Sequence, residues 1–242
     1  MPDEPNRTAT YARSEVAVAP NLGPVVTWRR GKRVKGDGDD RREWAAFFLK
    51  DFGEPYYVAH DGPSFDMVRA HWQRDPSTVD RMLRTGVRLR DPVAAMTVAT
   101  LFVGTAPAGD FIQDLQTALV GAAGEFRIAA ASALIALTGD QRWTVDIVSV
   151  LQGDVSEFVR LQAARALALV EASPYVVDAL AKAVADPDYL VRYHAANSLL
   201  SQSHAAVTVD RDEWLFSRIR RDKARPEWLE AATRLRERFP NL

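Results

Sequence analysis

The chain has 242 residues, 47% hydrophobic and 26% charged, with a formal net charge of −1; that is the composition of a globular protein with a sizeable core. It contains no cysteine, which excludes disulfides, thiolate zinc sites and cysteine nucleophiles, and no run approaches the roughly 18 apolar residues of a membrane span. The charge is unevenly divided: residues 1–90 carry 16 basic and 13 acidic side chains, 91–206 carry 6 and 12, and 207–242 carry 9 and 7, so a surface built from the middle repels phosphate backbones.

The stretch from Met1 to Asn21 is polar and proline-bearing. It lacks the apolar segment of a secretory signal, so a cytoplasmic location is the expectation. Residues 1–42 show no sustained helical period and are punctuated by prolines and glycines, which reads as an irregular N-terminal arm. Val25-Val26-Thr27-Trp28 and the basic residues after it fit a short hairpin, and disorder fits equally. Residues 43–74 read as capping helices. Glu43 to Asp51 carries Trp44, Phe47, Phe48 and Leu49; Gly53 to Pro63 is a break; Ser64 then caps a helix with Phe65, Val68 and Trp72 on one face.

From Asp75-Pro76 onward, short helices begin with a side-chain cap followed by proline at the first helical position, where its missing N–H costs nothing. The device recurs at Asp91-Pro92, Ser173-Pro174 and Asp186-Pro187. Superposing Val191 on Val159, Phe126 and Val93, at spacings of 32, 33 and 33 residues, reveals a repeat. Val191-Arg192-Tyr193-His194-Ala195-Ala196-Asn197-Ser198-Leu199 shares with the segments at 159–167 and 126–134 an apolar residue, Arg, two free positions, Ala-Ala, a free position, a small residue and Leu. The copy at 93–101 has lost the Arg and the Ala pair, as a terminal repeat does. A helix with its own apolar stripe precedes each copy, so every unit is a helical hairpin, and stacked hairpins make a solenoid. A fifth, divergent pair carries Trp214, Leu215 and Ile219, then Arg225-Pro226 with Leu229, Ala231, Ala232 and Leu235. The predicted fold is all-α: an αα-superhelix of about five hairpins over residues 75–239, behind an irregular N-terminal extension.

These units resemble HEAT repeats, particularly the short type of the phycobilisome-lyase-like group, with an Asp-Pro turn, Val-Arg, two variable residues, Ala-Ala and Leu. The resemblance covers residues 75–202, extends in weaker form towards 239, and leaves 1–74 outside. The paired alanines allow helices to approach closely, and the apolar residue and the Leu fill the core. Arg160 and Arg192 each follow an Asp by six residues, Asp154 and Asp186. In HEAT repeats that spacing implies a ladder tying one unit's turn to its neighbour, so Asp and Arg here are stacking residues first. The resemblance also implies that the free positions of the second helices line a concave face: Ile128 and Ser132; Leu161, Gln162 and Arg165; Tyr193, His194 and Asn197. Leu161 and Ile128 read equally well as half-buried packing residues.

Signals for catalysis are missing at the level of sequence. The four histidines, His60, His71, His194 and His204, are not spaced as a ligand cluster. HEAT-type deoxyhypusine hydroxylases use His-Glu pairs for iron, and no His is followed by Glu here. There is no phosphate loop, dinucleotide fingerprint or nucleophile elbow, and Asp37-Gly38-Asp39-Asp40 lacks the spacing and terminal Glu of a calcium loop. The basic residues Arg29, Arg30, Lys32, Arg33, Lys35, Arg41 and Arg42 flank Trp28 and Trp44, a pairing suited to nucleic acid or an acidic protein, yet acidic neighbours dilute it and a solvated arm fits better. No cofactor and no metal is expected.

The reading is a non-enzymatic scaffold binding a protein partner through its concave face, as adaptor, inhibitor or assembly factor, with Gln162, Arg165, Tyr193, His194 and Asn197 as contacts. Nucleic acid and membrane are not the expected partners. Two alternatives follow from the resemblance alone. HEAT-fold alkylpurine DNA glycosylases cradle DNA in a basic groove, but here the repeats from 91 to 206 are acidic and their only tryptophan is Trp143. A chromophore-lyase or chaperone-like role is the other, and no residue speaks for it.

Overall fold

A computed structural model describes residues 37–105 and 108–242. The arm residues 1–36, with the hairpin expected near Trp28 and the basic residues 29–35, lie outside the described residues. The described residues form helices α1 (Asp37–Asp51), α2 (Pro55–Asp61), α3 (Asp66–Arg74), α4 (Pro76–Arg88), α5 (Pro92–Phe102), α6 (Ala108–Leu119), α7 (Gly124–Thr138), α8 (Thr144–Leu151), α9 (Glu157–Leu167), α10 (Pro174–Ala183), α11 (Tyr189–Gln202), α12 (Glu213–Ile219) and α13 (Arg225–Arg236). Single 3₁₀ turns occupy Gln141–Trp143 and Val209–Arg211. The chain is an α-solenoid: α4/α5, α6/α7, α8/α9, α10/α11 and α12/α13 are the five hairpins, and the second helices α5, α7, α9 and α11 pack in a row.

Capping explains where the helices start. The carboxylate of Asp75 accepts the Thr78 N–H at 3.1 Å, that of Asp91 the Val93 N–H at 2.8 Å, and the Ser173 hydroxyl the Val176 N–H at 3.3 Å, each followed by proline in the first turn. The fourth expected cap is elsewhere. α11 starts two residues later than the Asp-Pro signal, because Asp188, not Asp186, accepts the Val191 N–H at 3.0 Å. Asp186 instead closes the turn by accepting the Asp188 N–H at 2.8 Å.

Three further boundaries differ from expectation. α1 begins at Asp37, six residues before Glu43. The break from Gly53 to Pro63 contains α2, a seven-residue helix opened by Pro55 and bracketed by Gly53 and Gly62 at φ 93° and 83°, a backbone region open to glycine at little cost. α3 starts at Asp66 behind Phe65, without a side-chain cap from Ser64.

The interior is two apolar clusters that meet at α7. Phe126, Ala130 and Leu134 face the N-terminal cluster, which runs back to Trp44 and Val68, while Ala131 and Ile135 face the C-terminal cluster, which runs on to Phe239. Trp143 packs against both. Each alanine pair is buried: Ala130 and Ala131, Ala163 and Ala164, Ala195 and Ala196 are all at 0% exposure. At that range, small side chains let backbone groups take partners across the hairpins. The Ser198 hydroxyl donates to the carbonyl of Ala164 at 2.8 Å, and the Gln202 amide to that of Leu167 at 2.6 Å. Gly86 serves the same close approach at the N-terminal end, where an added Cβ would lie 2.6 Å from the Ala94 Cβ and 2.7 Å from the Trp44 ring.

The final hairpin departs from the row. α13 packs against α10 as well as α11, and Arg236 reaches Asp178 of α10 at 2.7 Å. α13 turns Trp228, Ala231, Ala232 and Leu235 inward, whereas Leu229, expected on the apolar face, is 49% exposed.

Candidate partner-binding face

The motif arginines divide by what they touch, and this separates lattice from surface. Arg160 donates from Nε and Nη2 to the two oxygens of Asp186, at 2.9 and 3.1 Å, and from Nη1 to the Val155 carbonyl of its own turn. The fork joins one hairpin's turn to the next, and the carboxylate raises the guanidinium's pKa above its ordinary value. The expected ladder is therefore present across units. Within the unit, Arg160 bonds the backbone carbonyl five residues back, that of Val155, and not the side chain of Asp154 six residues back. Arg127 donates to Asp146 on α8 through Nε and Nη2, and Arg84 links Asp80 of its own helix to Asp114 of α6.

Arg192 is the extreme case, with 0% exposure. Its Nε donates to the Ile219 carbonyl at 2.7 Å, and its Nη1 to the carbonyls of Asp186 and Pro187 at 2.9 and 2.8 Å. Burial pushes its pKa below the ordinary value, but a guanidinium so far above neutrality stays charged. These residues stack the solenoid, as the repeat implies.

The outward side of the second helices is a different surface. Ile128 and Leu161, left open between surface and packing, are buried at 6% and 9% exposure and belong to the core. Of the five residues expected to contact a partner, two are engaged by the α11–α12 connection. The Tyr193 hydroxyl donates to Asp210 at 2.6 Å, which raises the phenol's pKa. The Asn197 amide oxygen accepts the Val209 N–H at 3.0 Å, and its NH₂ donates to the Tyr193 carbonyl.

The other three remain at the surface. Gln162 and His194 are half-buried and Arg165 is exposed. Burial lowers the pKa of His194, with the nearby positive charge of Arg165 adding to it. Beside them stand apolar side chains that the sequence reading passed over: Phe158 at 49% exposure, Leu190 at 51% and Leu169 at 89%. Phe158 and Leu190 are the residues immediately before Val159 and Val191 in the repeat. Equivalent free positions in neighbouring units were the available signal.

No chemistry-bearing constellation gathers on this face. Among the described residues, no group of three or more His, Cys, Asp or Glu side chains is placed to hold a metal, and no helix is long and apolar enough to cross a membrane. Trp143, the tryptophan between residues 91 and 206, sits half-buried between the two apolar clusters. A cleft of about 440 Å³ opens between the 3₁₀ turn at Gln141–Trp143 and the start of α10.

Hairpins at a 32 to 33 residue interval, turn-to-turn arginine forks and buried alanine pairs define an α-solenoid of tandem helical repeats. The family model for HEAT repeats matches residues 144–225, so the stretch from α8 to the start of α13 is built of HEAT repeats. No curated protein and no solved structure matches it. HEAT repeats generally mediate protein–protein interaction.

Proposed function

We propose that this protein is a non-enzymatic scaffold that binds a protein partner through the outward face of its second helices, serving as adaptor, inhibitor or assembly factor. One observation carries the reading. Arg127, Arg142, Arg160 and Arg192 each have a carboxylate or carbonyl partner within the solenoid, while the outward face of α9 and α11 presents Phe158 and Leu190 to solvent and the turn after α9 presents Leu169. Exposed apolar side chains among polar ones are what a protein-contact surface offers. A solenoid supplies that surface as extended area without a deep pocket.

The contacts are Gln162, Arg165 and His194, with Phe158 and Leu190 as apolar anchors. Tyr193 and Asn197 act on the surface indirectly, by holding the connection that borders it. Affinity purification of the full chain from its native host, quantified by mass spectrometry, tests the proposal. The double variant Phe158→Asp, Leu190→Asp is expected to lose the co-purifying partner. Tyr175→Asp, an equally exposed aromatic on the first helix α10, is expected to retain it. Loss with both variants, or with neither, contradicts the assignment of the face.

A further inference from the structure

The Arg165 side chain has no hydrogen bond or ion pair among the described residues, although it lies in the middle of a face whose neighbouring outward residues on α9 and α11 are uncharged. Six cations occur between residues 91 and 206. Arg127, Arg142, Arg160 and Arg192 are engaged, and Lys182 lies on the first helix α10. Arg165 is the remaining one, and it points outward from α9.

The surroundings set what it can bind. Along α9, Phe158, Gln162 and Arg165 follow one another at helical intervals on the same side, and Leu169 stands exposed in the turn just beyond the helix. On α11, which packs beside α9, the repeat places Leu190 next to Phe158 and His194 next to Gln162. Glu157 is the acid nearest in sequence on this helix, eight residues away, or about 12 Å along the axis. No acid on α9 or α11 is therefore close enough to neutralise Arg165.

We infer that the partner of this face is a polypeptide segment carrying a single carboxylate flanked by bulky apolar residues, with the carboxylate on Arg165 and the apolar side chains on the Phe158–Leu190 pair and on Leu169. The inference rests on the proposal that this face binds protein. Seven residues of helix separate Phe158 from Arg165, about 10 Å, which an extended segment spans in about three residues. Bidentate recognition of a carboxylate is what an exposed guanidinium fork is shaped for.

Two features of the charge distribution narrow the occupant. Residues 91–206 hold 12 acidic and 6 basic side chains, so a run of acids is repelled at long range and one acid in an otherwise neutral segment is favoured. The chain's own residues 1–36 hold 7 basic and 3 acidic side chains, and the basic cluster among them would meet Arg165 with like charge. They do not suit this face.

The test is selection of random 12-residue displayed peptides on the full chain, followed by fluorescence anisotropy of the enriched peptides. The enriched sequences are expected to carry one Asp or Glu about three residues from a large apolar residue. Their affinity should fall about tenfold to a hundredfold with Arg165→Glu, the range for a lost charge-assisted hydrogen bond, and less with Arg165→Lys. The double variant Phe158→Ala, Leu190→Ala should weaken them as well. Peptides that depend on Phe158 and Leu190 but not on Arg165, or that lack an acid, overturn the inference while leaving the face intact as a binding surface. Peptides indifferent to all of these variants contradict the face itself, and failure to enrich any peptide above the blank support also overturns the inference. Unchanged circular dichroism and melting of the variants shows that each remains folded.

Discussion

The guanidinium carbon of Arg192 lies 3.9 Å from the centre of the Trp228 indole ring, and the two residues join the fourth hairpin to the fifth. The indole N–H donates to the Arg221 carbonyl at 2.8 Å, so the ring that carries the cation is itself fixed to the turn. Stacking satisfies the face of the guanidinium while three carbonyls take its edge. Asp222 stands 4.0 Å away and is 91% exposed, so the charge is balanced chiefly by carbonyl dipoles and the ring.

Arg192→Leu is expected to destabilise the protein by about 3–5 kcal/mol, because it strands buried carbonyls whose partner cannot be replaced by water. Arg192→Lys should rescue little, since a point charge on a flexible stem cannot bond both turns at once. Urea denaturation of both variants and of Trp228→Ala checks this. A double-mutant cycle should show strong coupling between the two positions.

The hinge between α1, α4 and α5 is equally specific. Gly86→Ala is expected to cost about 1–3 kcal/mol as Trp44 and Ala94 are forced apart, despite alanine's better helix propensity. Thermal melting of the variant measures it. A stabilised Gly86→Ala protein would show that the ring of Trp44 is free to move.

Tyr193 and Asn197 are predicted to protect a connection. Asn197→Ala removes the acceptor of the Val209 N–H, so amide exchange at Val209 should accelerate, with a stability loss of about 1–3 kcal/mol. Tyr193→Phe should cost about 0.5–1.5 kcal/mol. Hydrogen exchange resolved to residues 203–212 is the readout.

Two caps predict opposite responses to acid. Hydrogen bonds from Thr78 and Ser77 hold the Asp75 carboxyl at about 2, below its ordinary 3.8. Its contribution is present above 3.8 and is lost as pH falls towards 2. Burial raises the pKa of Asp91 despite the Trp44 N–H at 2.8 Å, so protonation there favours the folded state as pH falls. Asp75→Asn should flatten the loss of stability between about pH 4 and 2, whereas Asp91→Asn should remove a gain in stability that accrues above pH 3.8, as pH falls from the raised folded value to the ordinary one; stability measured from neutral pH down to about 2 in both variants checks the pair.

The array was legible because its rule is local and recurrent: Val-Arg, Ala-Ala and Leu reappear in phase, and each letter has a packing reason. What was not legible depended on residues far along the chain. Arg127, Arg160 and Arg192 occupy equivalent positions, yet only Arg192 is buried, because Trp228, 36 residues later, covers it. Tyr193 and Asn197 sit on free positions and read as surface, but residues 209 and 210 claim them from a connection without any period. Asp186 was misread as a cap because proline follows it, although Asp188 was equally available. Arg165, by contrast, is exposed as its free position in the repeat implies, and its side chain has no partner among the described residues.

The most direct measurement of the central claim is site-specific photo-crosslinking in the native host. A photoreactive residue at Gln162 on the second-helix face is predicted to trap a discrete protein partner, and one at Lys182 on the first helix α10 to trap none. The same partner trapped at Lys182 but not at Gln162 would contradict the account.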